Sequence, residues 1–161
     1  MFKVDDVIVY KNGGVCRVEA IGTPDFLDDG QDYYKLQSLV DAGSTIYVRV
    51  APEPEMRAII STDTANQYLD GSLTVEECFD ADNKRRGKEY SDILSSCDCA
   101  KWMSMFKGIL KEKNRKQQDG KTLNESDDKF LKRVSELVVS EFSSALSISK
   151  EEAMEKLNDI L

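Results

Sequence analysis

The chain has 161 residues, a length that suits one domain or two small ones. It carries 22 Lys and Arg against 30 Asp and Glu, a formal net charge of −8, and no histidine, which excludes Ser-His-Asp and Cys-His chemistry within the chain. Apolar residues at 40% and charged residues at 32% make a modest core under a charged surface, and no apolar run approaches the roughly 20 residues of a membrane span.

The opening MFKVDDVIVY has no signal-peptide h-region, so a cytoplasmic protein with no membrane association is expected. Val7 and Val9, then Val15, Val18 and Ile21, fall in short β-branched runs around Asn12-Gly13-Gly14, a tight-turn signal. A polar loop from Thr23 to Gly30 leads into Tyr33–Leu39, and Asp41-Ala42-Gly43-Ser44 turns the chain into Thr45–Val50. Four or five short strands with polar turns predict a strongly bent antiparallel sheet or small barrel. Pro52 and Pro54 end the last strand, which places a β domain over residues 1–53 and a helical domain over 54–161.

Beyond that boundary the apolar spacing is helical. Thr62 or Asp63 caps a short helix through Leu69, stopped at Asp70-Gly71, and another short helix is expected around Thr74–Phe79. Two longer segments follow, from about Asn83 to Ser96 and from about Asp98 to Gln117. The second carries Trp102, Phe106, Ile109 and Leu110 on one stripe, so Trp102 reads as a core residue. Asn124, with Asp127 three residues on, starts a helix whose stripe is Phe130, Val134, Leu137, Val138 and Phe142. Ser149-Lys150-Glu151-Glu152 is a capping box that opens a last helix to about Ile160. The fold class expected is α+β: a small antiparallel β domain, then an all-helical bundle.

Charge is uneven along the chain. Residues 1–82 hold 6 basic and 16 acidic side chains, residues 84–121 hold 11 and 5, and residues 122–161 hold 5 and 9. A basic block inside an acidic protein allows one face to meet phosphates, and it equally describes a solvated helix face. The cysteines are Cys16, Cys78, Cys97 and Cys99. Cys97 and Cys99 with Cys78 offer three thiolates, short of the four ligands and paired C-x₂₋₄-C spacing of structural zinc, so free thiols and no metal are expected. Gly120-Lys121-Thr122 fails as a P-loop because Arg115 stands where the pattern requires glycine. No catalytic residue, cofactor or small-molecule substrate is identified.

Phe2-Lys3-Val4-Asp5-Asp6-Val7-Ile8-Val9-Tyr10, followed by Gly13-Gly14-Val15-Cys16-Arg17-Val18, resembles the start of the CarD/CdnL-type bacterial transcription regulators, which begin F-K-V-G-D-x-V-V-Y. Tyr47-Val48-Arg49-Val50 is similar to that family's closing strand of the same domain. Lys84-Arg85-Arg86-Gly87-Lys88, with Ile93-Leu94-Ser95-Ser96-Cys97-Asp98 after it, resembles the family's W-x-R-R-x-K segment and its following helix break, and Thr122-Leu123-Asn124-Glu125 a later helix start. The resemblance implies a non-enzymatic regulator with a Tudor-like β domain that binds the RNA polymerase β subunit, through Val48 and Arg49 here. It also implies a helical domain that meets promoter DNA at the upstream edge of the bubble, through Asn83, Arg85, Arg86 and Lys88, and so modulates open-complex stability. Phosphate contacts of that kind position a protein without reading sequence. Three positions depart from the pattern: the family's DNA-contacting tryptophan falls at Asn83, Asp5 replaces a glycine, and Gly87 interrupts the basic helix. The alternative reading is a protein-interaction module that binds polymerase or another partner without DNA, and a third is a thiol or metal site on Cys78, Cys97 and Cys99.

Overall fold

Asn12 and Gly13 interrupt the apolar run between Val7 and Val18, and the chain folds back there: β1 (Val7–Tyr10) pairs antiparallel with β2 (Gly14–Gly22), Val9 opposite Val15. The computed structural model describes residues 1–160 and divides into two units, Met1–Ile59 and Ile60–Leu161. In the first, β3 (Tyr33–Ser38), β4 (Thr45–Arg49) and β5 (Met56–Ala58) complete a five-stranded antiparallel sheet in the order β4-β3-β2-β1-β5. Between Val18 and Ala20 the register of β2 against β3 shifts, leaving Glu19 as the extra residue of a β-bulge. Such a bulge bends its strand. On its other side Val18 bonds the chain entering β1, Asp5 N–H to Val18 O at 2.7 Å and Val18 N–H to Asp6 O at 2.9 Å. Asp5 adopts a left-handed φ of 74°, the conformation for which glycine is usual.

One face of the sheet buries Ile8, Cys16, Val18, Tyr34, Leu36 and Val48, with Phe2, Tyr10, Ile21, Ile46 and Met56 around them. The expected boundary after residue 53 falls short of the sheet. Pro52 and Pro54 interrupt pairing, but Met56–Ala58 resumes it against β1, with Tyr10 opposite Met56 and Ile8 opposite Ala58, so the first unit runs to Ile59.

The second unit is helical: α1 (Thr62–Asp70), α2 (Asn83–Leu94), α3 (Cys99–Gln118), α4 (Glu125–Leu146) and α5 (Lys150–Asp159). Each starts where a short polar side chain outside the helix accepts from a first-turn N–H: Ser61, Asp82, Asp98, Asn124 and Ser149. The first cap is thus Ser61 rather than Thr62 or Asp63. α4 packs against the other four helices, burying Leu131, Val134, Leu137, Val138 and Phe142. Phe130 lies half-buried at the margin, its ring edge-on to Tyr90 at 5.5 Å, and Leu131 takes the deeper place. Trp102 is buried as expected, and its Nε1 donates to Ile93 O at 3.1 Å.

The short helix expected around Thr74–Phe79 does not form. That segment is an extended strap along α3, and its main chain is bonded outward instead of to itself. Cys78 N–H donates to Ser104 O at 3.0 Å, Ser104 Oγ donates to Glu76 O, and Lys107 Nζ donates to Val75 O at 3.1 Å. Tertiary partners take the groups that helical bonds would have used, which outweighs a local preference of a few tenths of a kcal/mol per residue.

Candidate functional site

Among the described residues β4 has a sheet neighbour on one side alone. Antiparallel pairs alternate between hydrogen-bonded and non-bonded. Val50 N–H bonds Asp32 O at 3.0 Å and Ser38 N–H bonds Ser44 O at 3.0 Å, on either side of the register Tyr33↔Arg49 and Gln37↔Thr45. The parity therefore turns the main-chain groups of Thr45, Tyr47 and Arg49 toward the open edge. The same three side chains are exposed, whereas Ile46 and Val48 point into the sheet.

Arg49 is fixed on that edge by its cross-strand neighbour. Its Nε donates to Tyr33 Oη at 3.3 Å, and Tyr33 Oη donates to Asp29 Oδ2 at 2.7 Å. Gln31 N–H donates to Asp29 Oδ1 at 3.0 Å, and Thr23 Oγ1 donates to Gln31 O at 2.7 Å, closing the neck of the loop. The hydroxyl bond of Tyr33, followed by the Gln31 amide, holds the Asp29 carboxyl below its ordinary pKa, and Tyr33 with Asp29 holds the Arg49 guanidinium above its own. From the same loop Phe26, 67% exposed, lays its ring edge-on to Tyr47 at 5.0 Å, beside a shallow cleft.

The basic start of α2 behaves differently. Arg86 is 4% exposed and forked onto Asp127 of α4, Nε to Oδ1 at 3.0 Å and Nη2 to Oδ2 at 2.8 Å. Its Nη1 donates to Asp80 O at 2.8 Å, Nη2 also donates to Asn83 Oδ1 at 2.6 Å, and the Phe79 ring stacks on the guanidinium at 4.9 Å. Arg85 is exposed and paired with Asp80 at 3.2 Å, while Lys84 and Lys88 stand one turn apart on the outer side. The cysteines do not converge. Cys78 Sγ donates to Glu89 at 3.2 Å, Cys99 is buried, and no group of three metal-ligating side chains exists among the described residues.

Residues 2–60 match the CarD-like/TRCF RID domain, and the match ends within one residue of the first compact unit. The N-terminal unit is a CarD-like/TRCF RID domain. It is an RNA polymerase-interacting module with the Tudor-like fold of that family, and the helical unit from residue 61 onward lies outside the match. No curated protein matches the chain.

In the RID domain, Arg49 has the exposure that an interface residue needs, on an edge strand paired on one side. Val48 does not: its side chain is in the core and its main chain faces Tyr34, because neighbouring strand residues point to opposite faces. In the helical unit, Arg85 and Lys88 are exposed, Asn83 is exposed but tied to Arg86, and Arg86 faces inward, so a phosphate contact from Arg86 is corrected to a buried ion pair. A signal for this was present: Arg86 stands four residues before Tyr90 and seven before Ile93, on the buried stripe of α2. Asp29 and Tyr33 carried no signal that spacing or composition could expose, since their role arises from a loop folding over a sheet.

Proposed function

We propose that the protein is a non-enzymatic bacterial transcription regulator. Its RID domain docks on the RNA polymerase β subunit through the open edge of β4, with Arg49 as the exposed anchor. Its helical unit meets promoter DNA at the upstream edge of the bubble through Arg85 and Lys88, with Asn83 beside them, and modulates open-complex lifetime. The single observation that carries the reading is the unpaired edge, where outward main-chain groups and the Arg49 side chain coincide in a domain of the RID family. An edge of this kind recruits a partner strand, main-chain bonds supplying affinity and side chains selectivity.

The burial of Arg86 and the pairing of Arg85 with Asp80 favour a second reading, in which the helical unit meets another protein surface and never touches DNA. Open-complex decay after competitor challenge separates the two. Arg49→Glu is expected to abolish the effect on decay along with β-subunit binding, and Lys88→Glu with Arg85→Glu to shorten the lifetime while β binding stays intact. Unchanged decay for the Lys88/Arg85 variant, with Arg49→Glu inactive, would hand the helical unit to the second reading. Undiminished β binding by Arg49→Glu would remove the docking assignment itself.

A further inference from the structure

We infer that Asp29 and Tyr33 are positioning residues for Arg49: they fix the direction of its guanidinium before the partner arrives. The inference rests on the docking reading above and adds to it the loop of residues 23–32, which that reading leaves unused.

An exposed arginine on a strand edge has several rotatable bonds, and immobilising such a side chain on binding costs conformational entropy. Here much of that ordering is done within the domain. The Tyr33 hydroxyl spends its one proton on Asp29 Oδ2 at 2.7 Å, which leaves its lone pairs for Arg49 Nε at 3.3 Å. A hydroxyl that donates to a carboxylate is a better acceptor, so the two bonds reinforce each other. Asp29 is in turn held at its other oxygen by Gln31 N–H, and Thr23 closes the loop at Gln31 O. Using Nε for the internal bond leaves both Nη groups, the end of the fork, to meet acceptors on a docked strand. Tyr33 and Arg49 are direct cross-strand partners, so the relay has no slack to absorb.

Binding to the purified RNA polymerase β subunit, measured by calorimetry, tests this with four variants: Arg49→Ala, Tyr33→Phe, Asp29→Asn and the double variant Tyr33→Phe/Arg49→Ala. Tyr33→Phe keeps the ring and its packing on the sheet, and is expected to weaken binding about fivefold, the worth of one net hydrogen bond. Asp29→Asn is expected to weaken it in the same direction by a smaller factor. In the Arg49→Ala background Tyr33→Phe should have no further effect, because nothing remains to be positioned. A Tyr33→Phe variant that binds like the parent while Arg49→Ala is weakened overturns the relay and leaves the docking reading standing. An equal loss from Tyr33→Phe with and without Arg49 also overturns it, since Tyr33 would then act by its own contacts. An Arg49→Ala variant that binds like the parent brings down the docking assignment and the relay together.

Discussion

Arg86 shows how far a single residue's surroundings can redirect it. Both members of the pair with Asp127 are 4% exposed, and Arg86 also bonds Asn83 and Asp80 O. Removing one partner of a buried pair strands the other, at about 3–5 kcal/mol. Arg86→Ala is therefore expected to destabilise the helical unit by about 3 kcal/mol, and Arg86→Lys to recover little because an ammonium lacks the fork. Exposed Lys88→Ala should stay within about 0.5 kcal/mol. Urea unfolding of the three variants checks this, and an Arg86→Ala midpoint equal to that of Lys88→Ala would show the pair to be marginal. Cys16 supplies a pH dependence in the RID domain. Burial, with repulsion from Asp41 second, pushes its thiol up from 9.0 to about 11. A group whose pKa rises on folding stabilises the fold below the ordinary value, and that contribution is lost as pH climbs through the folded one. The RID domain should thus lose up to about 2–3 kcal/mol between pH 9 and 11, and Cys16→Ala should flatten the loss. Parallel slopes for parent and variant over that range would remove Cys16 as the cause. The basic run Lys84–Lys88 was legible as charge but not as geometry: net charge says nothing about which side chain a helix turns inward.

At the scale of elements, the caps Asn124 and Ser149 were legible because each acts on an N–H three residues away. The strap over 72–81 was illegible for the opposite reason, since its partners lie on α3 and α2. Two glycines make the contrast measurable. Gly108 sits under the strap, where an added Cβ would overlap the Cys78 carbonyl, whereas a Cβ on Gly87 in α2 would meet open space. Alanine is favoured over glycine by up to about 1 kcal/mol in a helix interior. Gly87→Ala should therefore stabilise the helical unit by about 0.5–1 kcal/mol, and Gly108→Ala should destabilise it by more than that gain despite the same change in propensity. Thermal melts moving in the same direction for both would show that the strap yields. β5 was missed on similar grounds. Three residues after two prolines carry too little pattern to register, and their place is set by β1 waiting opposite them.

For the whole molecule, charge bears on how DNA could be engaged. Each unit carries a net −4, with 10 acidic and 6 basic residues in the first and 20 and 16 in the second. Against that background Lys84, Arg85 and Lys88 are few, and Arg85 is already paired with Asp80. Each phosphate contact adds nearly one unit to the log–log salt slope, so two or three predict a slope of roughly −2 to −3 and feeble affinity for free duplex at physiological salt. Docking on polymerase would then supply the effective concentration that affinity lacks. Fluorescence anisotropy across a salt series checks this, and tight binding with a slope steeper than about −5 would require a larger basic face than α2 offers.

The strap also has a meaning for how this sequence stores its fold. Val75 O, Glu76 O, Cys78 N–H, Cys78 O and Asp80 O, all main-chain groups, hold it to Lys107, Ser104, Tyr90 and Arg86. Main-chain groups are common to nearly every residue type, so much of the strap's path is specified by letters as far as 32 positions away, while Cys78, Phe79 and Asp80 add side-chain contacts of their own. Gly108 is the extreme case, a residue whose information consists of lacking a side chain. Text and meaning are thus separated along the chain: the stretch that looks least constrained is ordered by residues that look like ordinary helix.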